Sequence, residues 1–167
     1  MEVTIRRART SDVRAVRRLV DGYARERILL NKPTVTLFES VQEFWVAERD
    51  DNAEVVACGA LHIMWEDLAE VRTLAVDPAC RGTGIGHRLL EKLTETARWI
   101  GVRRIFCLTF EVDFFAKHGF VEIASTAVDS EVYQELLRSY DEGVAEFLDL
   151  ERVKPNTLGN TRMLLHL

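Results

Sequence analysis

Long apolar runs are absent from this chain. No stretch approaches the roughly 18 apolar residues that a membrane-crossing helix requires, and Met1-Glu2-Val3-Thr4-Ile5-Arg6 lacks the apolar centre of a secretory signal. The cytoplasm is therefore the expected compartment, and no membrane partner is expected. Cysteine is scarce as well. Cys58, Cys80 and Cys107 stand far apart, without the paired spacing of a metal site or a disulfide framework, so no metal is expected. Cys58 and Cys107 lie in apolar strand-like runs and read as buried thiols, whereas Cys80 is the one that could be exposed. Only 3 prolines occur, and there is no repeat, low-complexity tract or linker, which makes residues 1–167 one expected domain. Positive charge is also short: 22 Lys and Arg against 27 Asp and Glu leave a net charge of −5. Nucleic acid is thus not an expected partner, because a phosphate backbone selects clustered cations. The arginines of Arg6-Arg7-Ala8-Arg9 and Arg14, Arg17 and Arg18 are local and suit a solvated helix face.

What is present is a globular composition, 47% hydrophobic with 29% charged residues, and one unusual use of glycine. Three of the 9 glycines fall at alternate positions in Ala79-Cys80-Arg81-Gly82-Thr83-Gly84-Ile85-Gly86-His87. The strand-like run Val71-Arg72-Thr73-Leu74-Ala75-Val76 precedes them, and the helical pattern Ile85, Leu89, Leu90, Leu93, Ala97, Ile100 follows. Glycines where a helix begins leave backbone N–H groups unshielded, and the positive end of the helix dipole adds to them. Arg81 supplies a cation, so the segment reads as a cradle for a phosphate or pyrophosphate. A dinucleotide fingerprint would need glycine where His87 stands, and an acidic residue about 20 positions on. A P-loop would need Gly-Lys-Ser/Thr. Neither is present, and Arg81-x-x-Gly84-x-Gly86 remains. A turn with only a structural role is the alternative.

The periodicities predict a strand at Val3–Arg6 and a helix capped by Thr10 or Ser11, running to about Arg27 on Val13, Val16, Leu19, Val20 and Tyr23. Ile28–Val35 reads as a loop, and Thr36-Leu37-Phe38-Glu39 has the spacing of a capping box opening a short helix. Strands are expected at Phe44–Glu48, Glu54–Trp65 and Glu70–Val76, then the long helix Gly84–Ile100 stopped by Gly101. A buried strand at Arg104–Phe110, a short helix at Val112–His118, a strand at Phe120–Ile123, a late helix at Ser130–Asp141 and a strand at Thr161–Leu165 complete the order. The expected fold class is α/β (α+β), with a mixed, mostly antiparallel sheet flanked by helices.

This order is similar to that of the GNAT N-acetyltransferases, and Arg81-x-x-Gly84-x-Gly86 resembles their acetyl-CoA pyrophosphate loop, Gln/Arg-x-x-Gly-x-Gly/Ala. The segment Phe114-Phe115-Ala116-Lys117-His118-Gly119-Phe120 resembles the late motif of the family. Phe106-Cys107-Leu108-Thr109-Phe110 and Thr161-Arg162-Met163-Leu164 look like the acetyltransferase part of N-acetylglutamate synthases. Gly59-Ala60-Leu61-His62, Ala145-Glu146-Phe147-Leu148 and Lys154–Asn160 resemble the short, single-domain bacterial form, without the arginine-sensing kinase-like domain of larger synthases.

The resemblance implies a fourth strand splayed from the fifth, with acetyl-CoA as co-substrate lying along the backbone of Leu74, Ala75 and Val76. Its pyrophosphate would rest on Arg81, Gly82, Thr83, Gly84, Ile85, Gly86 and His87. The implied reaction is acetyl transfer to the α-amine of L-glutamate or L-glutamine, the first step of arginine biosynthesis. A base must deprotonate the ammonium and a donor must hold the oxyanion. Glu70 is the first candidate base, placed with Arg72, Leu74 and Val76 on one face by the period of two, although an ion pair with Arg72 is the plainer role. His62 is the second, with a hydrogen-bonded core histidine as its alternative. The family's thiolate-protonating tyrosine falls at Phe115, which leaves Lys117 and His118 nearby. Lys32, Arg72, Thr109 and Arg162 are the candidates for the acceptor's carboxylates. Other amines or protein termini as acceptors, and a non-catalytic acyl-CoA sensor, stay open, as does a homodimer through the helix from Ser130.

Overall fold

The computed structural model describes residues 1–25 and 32–167. The expected loop at Ile28–Val35 and the helix end at Arg27 lie partly or wholly outside the described residues. Seven strands take the hydrogen-bonded order β1-β2-β3-β4-β5-β7-β6, and the chain divides into two compact units, Met1–His62 with Val71–Trp99 and Ile63–Glu70 with Ile100–Leu167.

The first unit contains β1 (Val3–Arg7), β2 (Phe44–Arg49), most of β3 (Val55–Trp65) and the second half of β4 (Leu68–Val76). Its helices are α1 (Val13–Arg25), α2 (Thr34–Glu39) and α3 (Ile85–Ile100). β1 pairs antiparallel with β2 from Val3↔Arg49 to Arg7↔Trp45, and β2 with β3 from Phe44↔Ala60 to Glu48↔Val55. Because side chains alternate along a strand, the strands have two apolar faces. Phe44, Val46, Cys58, Ala60 and Ala75 pack with Val13, Val16, Leu19 and Val20 of α1. Ala47, Val56 and Ala57 pack on the other face with Ile85 and Leu89 of α3. Each helix thus buries the apolar stripe that its 3.6 period creates.

The second unit contains the start of β4, β5 (Arg104–Thr109), β6 (Val121–Glu122) and β7 (Thr161–His166). Its helices are α4 (Val112–Ala116), α5 (Ser130–Leu136), α6 (Glu142–Phe147) and α7 (Lys154–Thr157). β4 pairs with β5 in parallel over Leu68↔Arg104, Ala69↔Ile105 and Glu70↔Phe106. β5 and β7 are antiparallel, from Arg104↔His166 to Thr109↔Thr161. Phe106 meets Phe147 edge to face at 5.1 Å within a cluster that includes Leu68, Leu136, Val144 and Leu164.

Some boundaries differ from expectation for identifiable reasons. Thr10 and Ser11 do not cap α1. A 3-10 turn covers Thr10–Asp12, and the Asp12 carboxylate accepts the Arg9 N–H at 2.7 Å while pairing with Arg6. The helix expected to open at Thr36 opens two residues earlier, at Thr34, with Pro33 as its N-cap and the Leu37 N–H donating to the Pro33 carbonyl at 3.4 Å. The single helix expected over Ser130–Asp141 is two. Asp129 accepts the Val132 N–H at 3.0 Å, and Asp141 accepts the Val144 N–H at 3.0 Å, so Asp141 begins α6 rather than ending α5. Cys80, whose place beside the glycine loop left exposure open, is buried and lies with its thiol 3.8 Å from the Met1 sulfur.

Candidate active site

Between β4 and α3 the chain makes a rigid turn. Asp77 accepts the Ala79 N–H at 3.0 Å, a 3-10 turn follows at Pro78–Cys80, and the Thr83 hydroxyl donates to the Cys80 carbonyl at 2.6 Å. Gly82 and Gly84 have φ of 78° and 84°, a region that costs an L-residue about 1–2 kcal/mol, and a side chain built on either would meet no atom within 4 Å. Glycine is required at both for backbone direction, not for space. Gly86 differs: it sits in the first turn of α3 without a positive φ. Arg88 donates its N–H to the Gly84 carbonyl at 3.1 Å. The N–H groups of Ile85, Gly86 and His87 therefore precede the first bond of the helix ladder, at the positive end of a 16-residue helix. Arg81 is exposed beside them, with its guanidinium 5.0 Å from the centre of the Tyr23 ring. An open, positively polarised cradle of this kind fits a pyrophosphate.

The end of β4 adds a polar edge. Asp77 donates its N–H to the Val56 carbonyl of β3 at 2.8 Å. Successive residues of a strand turn their amide groups to opposite edges, so Ala75 faces β3 with Asp77, while Leu74 and Val76 face away from it. The Ala75 backbone hydrogen-bonds to the Cys58 thiol, which donates to the Thr73 carbonyl at 3.6 Å, and burial pushes that thiol up to about 12. At Val76 the Tyr23 hydroxyl donates to the carbonyl at 2.9 Å and accepts from the N–H at 3.3 Å. Tyr23 was legible only as part of the apolar face of α1. Nothing local links it to a strand 53 positions away.

Thr73 has a φ of 58°. Residues Leu68–Val71 are all buried, and only from Arg72 onward do intermediate and buried positions alternate. Arg72, Leu74 and Val76 thus fall at alternate, half-buried positions, while Glu70 is buried with its neighbours on both sides. Glu70 itself is 4% exposed, opposite Phe106 in the ladder, so it lies inside the sheet and not at the surface. Burial, with the Glu70 charge as a lesser cause, holds the neighbouring Cys107 thiol well above its usual range.

His62 is half-buried rather than in an apolar core, with its Nδ1 2.7 Å from Glu43 Oε1. Lys32 is partly buried, and its carbonyl accepts from Arg17. Thr109 is buried and its hydroxyl accepts the Glu111 N–H at 2.8 Å, closing the turn after β5. Arg162 donates to the carbonyls of Glu146, at 2.9 Å, and Phe147, at 2.5 Å, and lies 5.1 Å over the Phe106 ring. Desolvation lowers its pKa from the usual arginine value. Phe115 is buried edge to face against Phe114 and Phe120, at 5.1 and 5.2 Å, while Lys117 is exposed. Among the described residues no group of three His, Cys, Asp or Glu is placed to hold a metal, and no helix is long and apolar enough to cross a membrane.

Comparison with known proteins agrees with this geometry. The family described as acetyltransferase (GNAT) domain matches residues 40–122. An amino-acid acetyltransferase of Mycobacterium tuberculosis is 61% identical over 162 residues, covering 96% of this chain and 92% of that protein. An amino-acid acetyltransferase of Neisseria meningitidis is 32% identical over 140 residues, covering 83% of this chain but only 31% of its own length. A crystal structure from M. tuberculosis, in complex with CoA and a second ligand, superposes with a TM-score of 0.95 at 61% identity over 98% of this chain and 99% of that one. The N-acetylglutamate synthase of Neisseria gonorrhoeae shares the fold, with a TM-score of 0.77 at 24% identity over 100% of this chain and 35% of that one. A glycine cradle between strand and helix, and a relative this similar along nearly its whole length, together make the chain a member of the GNAT acetyltransferases.

Proposed function

We propose that residues 1–167 form one acetyltransferase domain that moves the acetyl group of acetyl-CoA to the α-amine of L-glutamate, with L-glutamine as the closest competing acceptor, and so opens arginine biosynthesis. The observation that carries the cofactor half is the cradle, where Gly82 and Gly84 at positive φ lie before the N-terminus of α3 with open space above them. The relative named amino-acid acetyltransferase, and the CoA-bound structure at the same identity, support the rest. On the same reading the enzyme works in the cytoplasm, and the α5 segment is a candidate homodimer contact.

The proposed chemistry is a direct transfer. The amine nitrogen attacks the thioester carbonyl carbon, the C–S bond breaks, and the sulfur leaves as CoA thiolate. Glu70, through a water, takes the ammonium proton before attack, a β4 backbone N–H at Leu74 donates to the oxyanion, and the nitrogen gives its second proton to solvent as the adduct collapses to the amide. The other edge group, at Val76, pairs with an amide of the pantetheine arm, and the loop from Arg81 to His87 holds the pyrophosphate. Phe115 has no proton to give, which suits a leaving thiolate of modest basicity. Arg162 uses two donors on carbonyls, and a guanidinium has five. With Lys32, Arg72 and Thr109 it is the proposed holder of the acceptor's carboxylates. His62 is the weaker candidate base, since Glu43 already orients its ring.

The test is thiol release from acetyl-CoA with glutamate, glutamine, other amino acids and polyamines as acceptors. Turnover confined to glutamate and glutamine is expected. Preference for polyamines would replace the acceptor, and CoA binding without turnover of any amine would make the protein an acyl-CoA sensor.

A further inference from the structure

We infer that Tyr23 is a placeholder for the pantetheine arm of CoA: its hydroxyl occupies the Val76 amide and carbonyl until the cofactor displaces it. Three observations within one compact unit carry this. Asp77 turns its N–H to Val56, so the Val76 groups face away from β3, along the edge that an extended amide chain would use. Both of those groups are met by one hydroxyl, at 2.9 Å to the carbonyl and 3.3 Å from the N–H. A phenol that donates and accepts at one residue stands in for the donor and the acceptor that two successive amides of an extended arm would present to it. Arg81, the cation of the cradle, lies over the same ring at 5.0 Å, so movement of Tyr23 also changes the surroundings of the loop's cation.

Val76 is half-buried, backbone groups withdrawn from water need partners, and Tyr23 supplies both to the free enzyme. A ligand that pairs with Val76 must first dislodge the hydroxyl, so its apparent affinity is reduced by the fraction of molecules in which Tyr23 is already displaced. The same step runs in reverse when CoA leaves: re-formation of the two hydrogen bonds favours release. This inference rests on the proposed pairing of Val76 with the pantetheine arm.

The test compares wild type with Tyr23→Phe, using CoA and adenosine 3′,5′-bisphosphate, which has the nucleotide end but no pantetheine arm. Phenylalanine keeps the ring on α1 and beneath Arg81. Two modest hydrogen bonds correspond to about a tenfold change. Binding of CoA by Tyr23→Phe should therefore tighten about tenfold, with the bisphosphate unchanged. Unchanged or weaker CoA binding by the variant overturns the inference. Equal tightening of both ligands also overturns it, because Tyr23 would then act on the loop through Arg81. If wild type binds CoA no more tightly than the bisphosphate, the β4-edge pairing itself fails, a result separable from the other two. A second measurement is independent of that variant's folding. With the 3 tyrosines 13C-labelled and assigned through Tyr133→Phe and Tyr140→Phe, the Tyr23 ring signal should shift with CoA and not with the bisphosphate. A signal unmoved by CoA counts against displacement.

Discussion

Replacing Gly84 with alanine separates the strain of the loop from its service to the ligand. At a φ of 84° an added Cβ has no protein atom within 4 Å, so the cost to the fold is backbone strain alone, about 1–2 kcal/mol. For a chain of this size that is a fall in Tm of roughly 3–6 °C. The cost to binding is larger. The methyl projects into the open space of the cradle, and relaxing φ turns the following N–H groups away from their common direction. Each charge-assisted hydrogen bond contributes about 1.5–3 kcal/mol, so losing one weakens CoA about 10- to 100-fold. Gly101 provides an internal control, with a φ of 105° and equally open surroundings at the other end of α3. Gly101→Ala should lower Tm by at least as much and leave CoA affinity unchanged. Thermal unfolding and calorimetric titration of CoA on both variants read the two effects separately. Should Gly84→Ala lose stability yet bind CoA as wild type does, the loop is a structural turn and the cradle is refuted.

Glu70→Gln, nearly isosteric at a buried position, should lower kcat about 100-fold or more with the CoA Kd unchanged; a retained kcat removes Glu70 as the base. Asp12 predicts an acid limit on stability. Its hydrogen bonds from Arg6, and then the Arg9 N–H, hold its pKa below the ordinary 3.8. A depressed carboxylate stabilises the fold above its unfolded value, and that contribution disappears as pH falls through the folded one. Asp12→Asn should therefore be less stable than wild type by about 3 kcal/mol near pH 7. Urea unfolding should show the gap narrowing below about pH 4, and a gap independent of pH would mean that the carboxylate's charge contributes nothing.

The parts of the site that were legible are those whose physics is local. The glycine loop is readable because the spacing of Gly82 and Gly84, the strand before them and the apolar period after them lie within one short stretch. The helices at Val13 and Ile85 follow from a period of 3.6 in the same way, and β5 from its nearly unbroken apolar run. Helix ends were less legible. Asp12, Asp129 and Asp141 each compete for a backbone N–H, and which one wins depends on the fold around it.

The sequence by itself determined the class of fold, the place of the glycine loop between strand and helix, and the likeness to GNAT acetyltransferases. Tertiary structure decided what the candidate side chains do. It buried Glu70, gave Arg162 to the carbonyls of Glu146 and Phe147, used Thr109 to close a turn, and set Thr73 at a φ of 58° within β4. Above all it brought Tyr23 onto Val76. A period can announce which face of a helix is apolar, but the strand that meets a hydroxyl on its last turn is fixed only when distant segments pack.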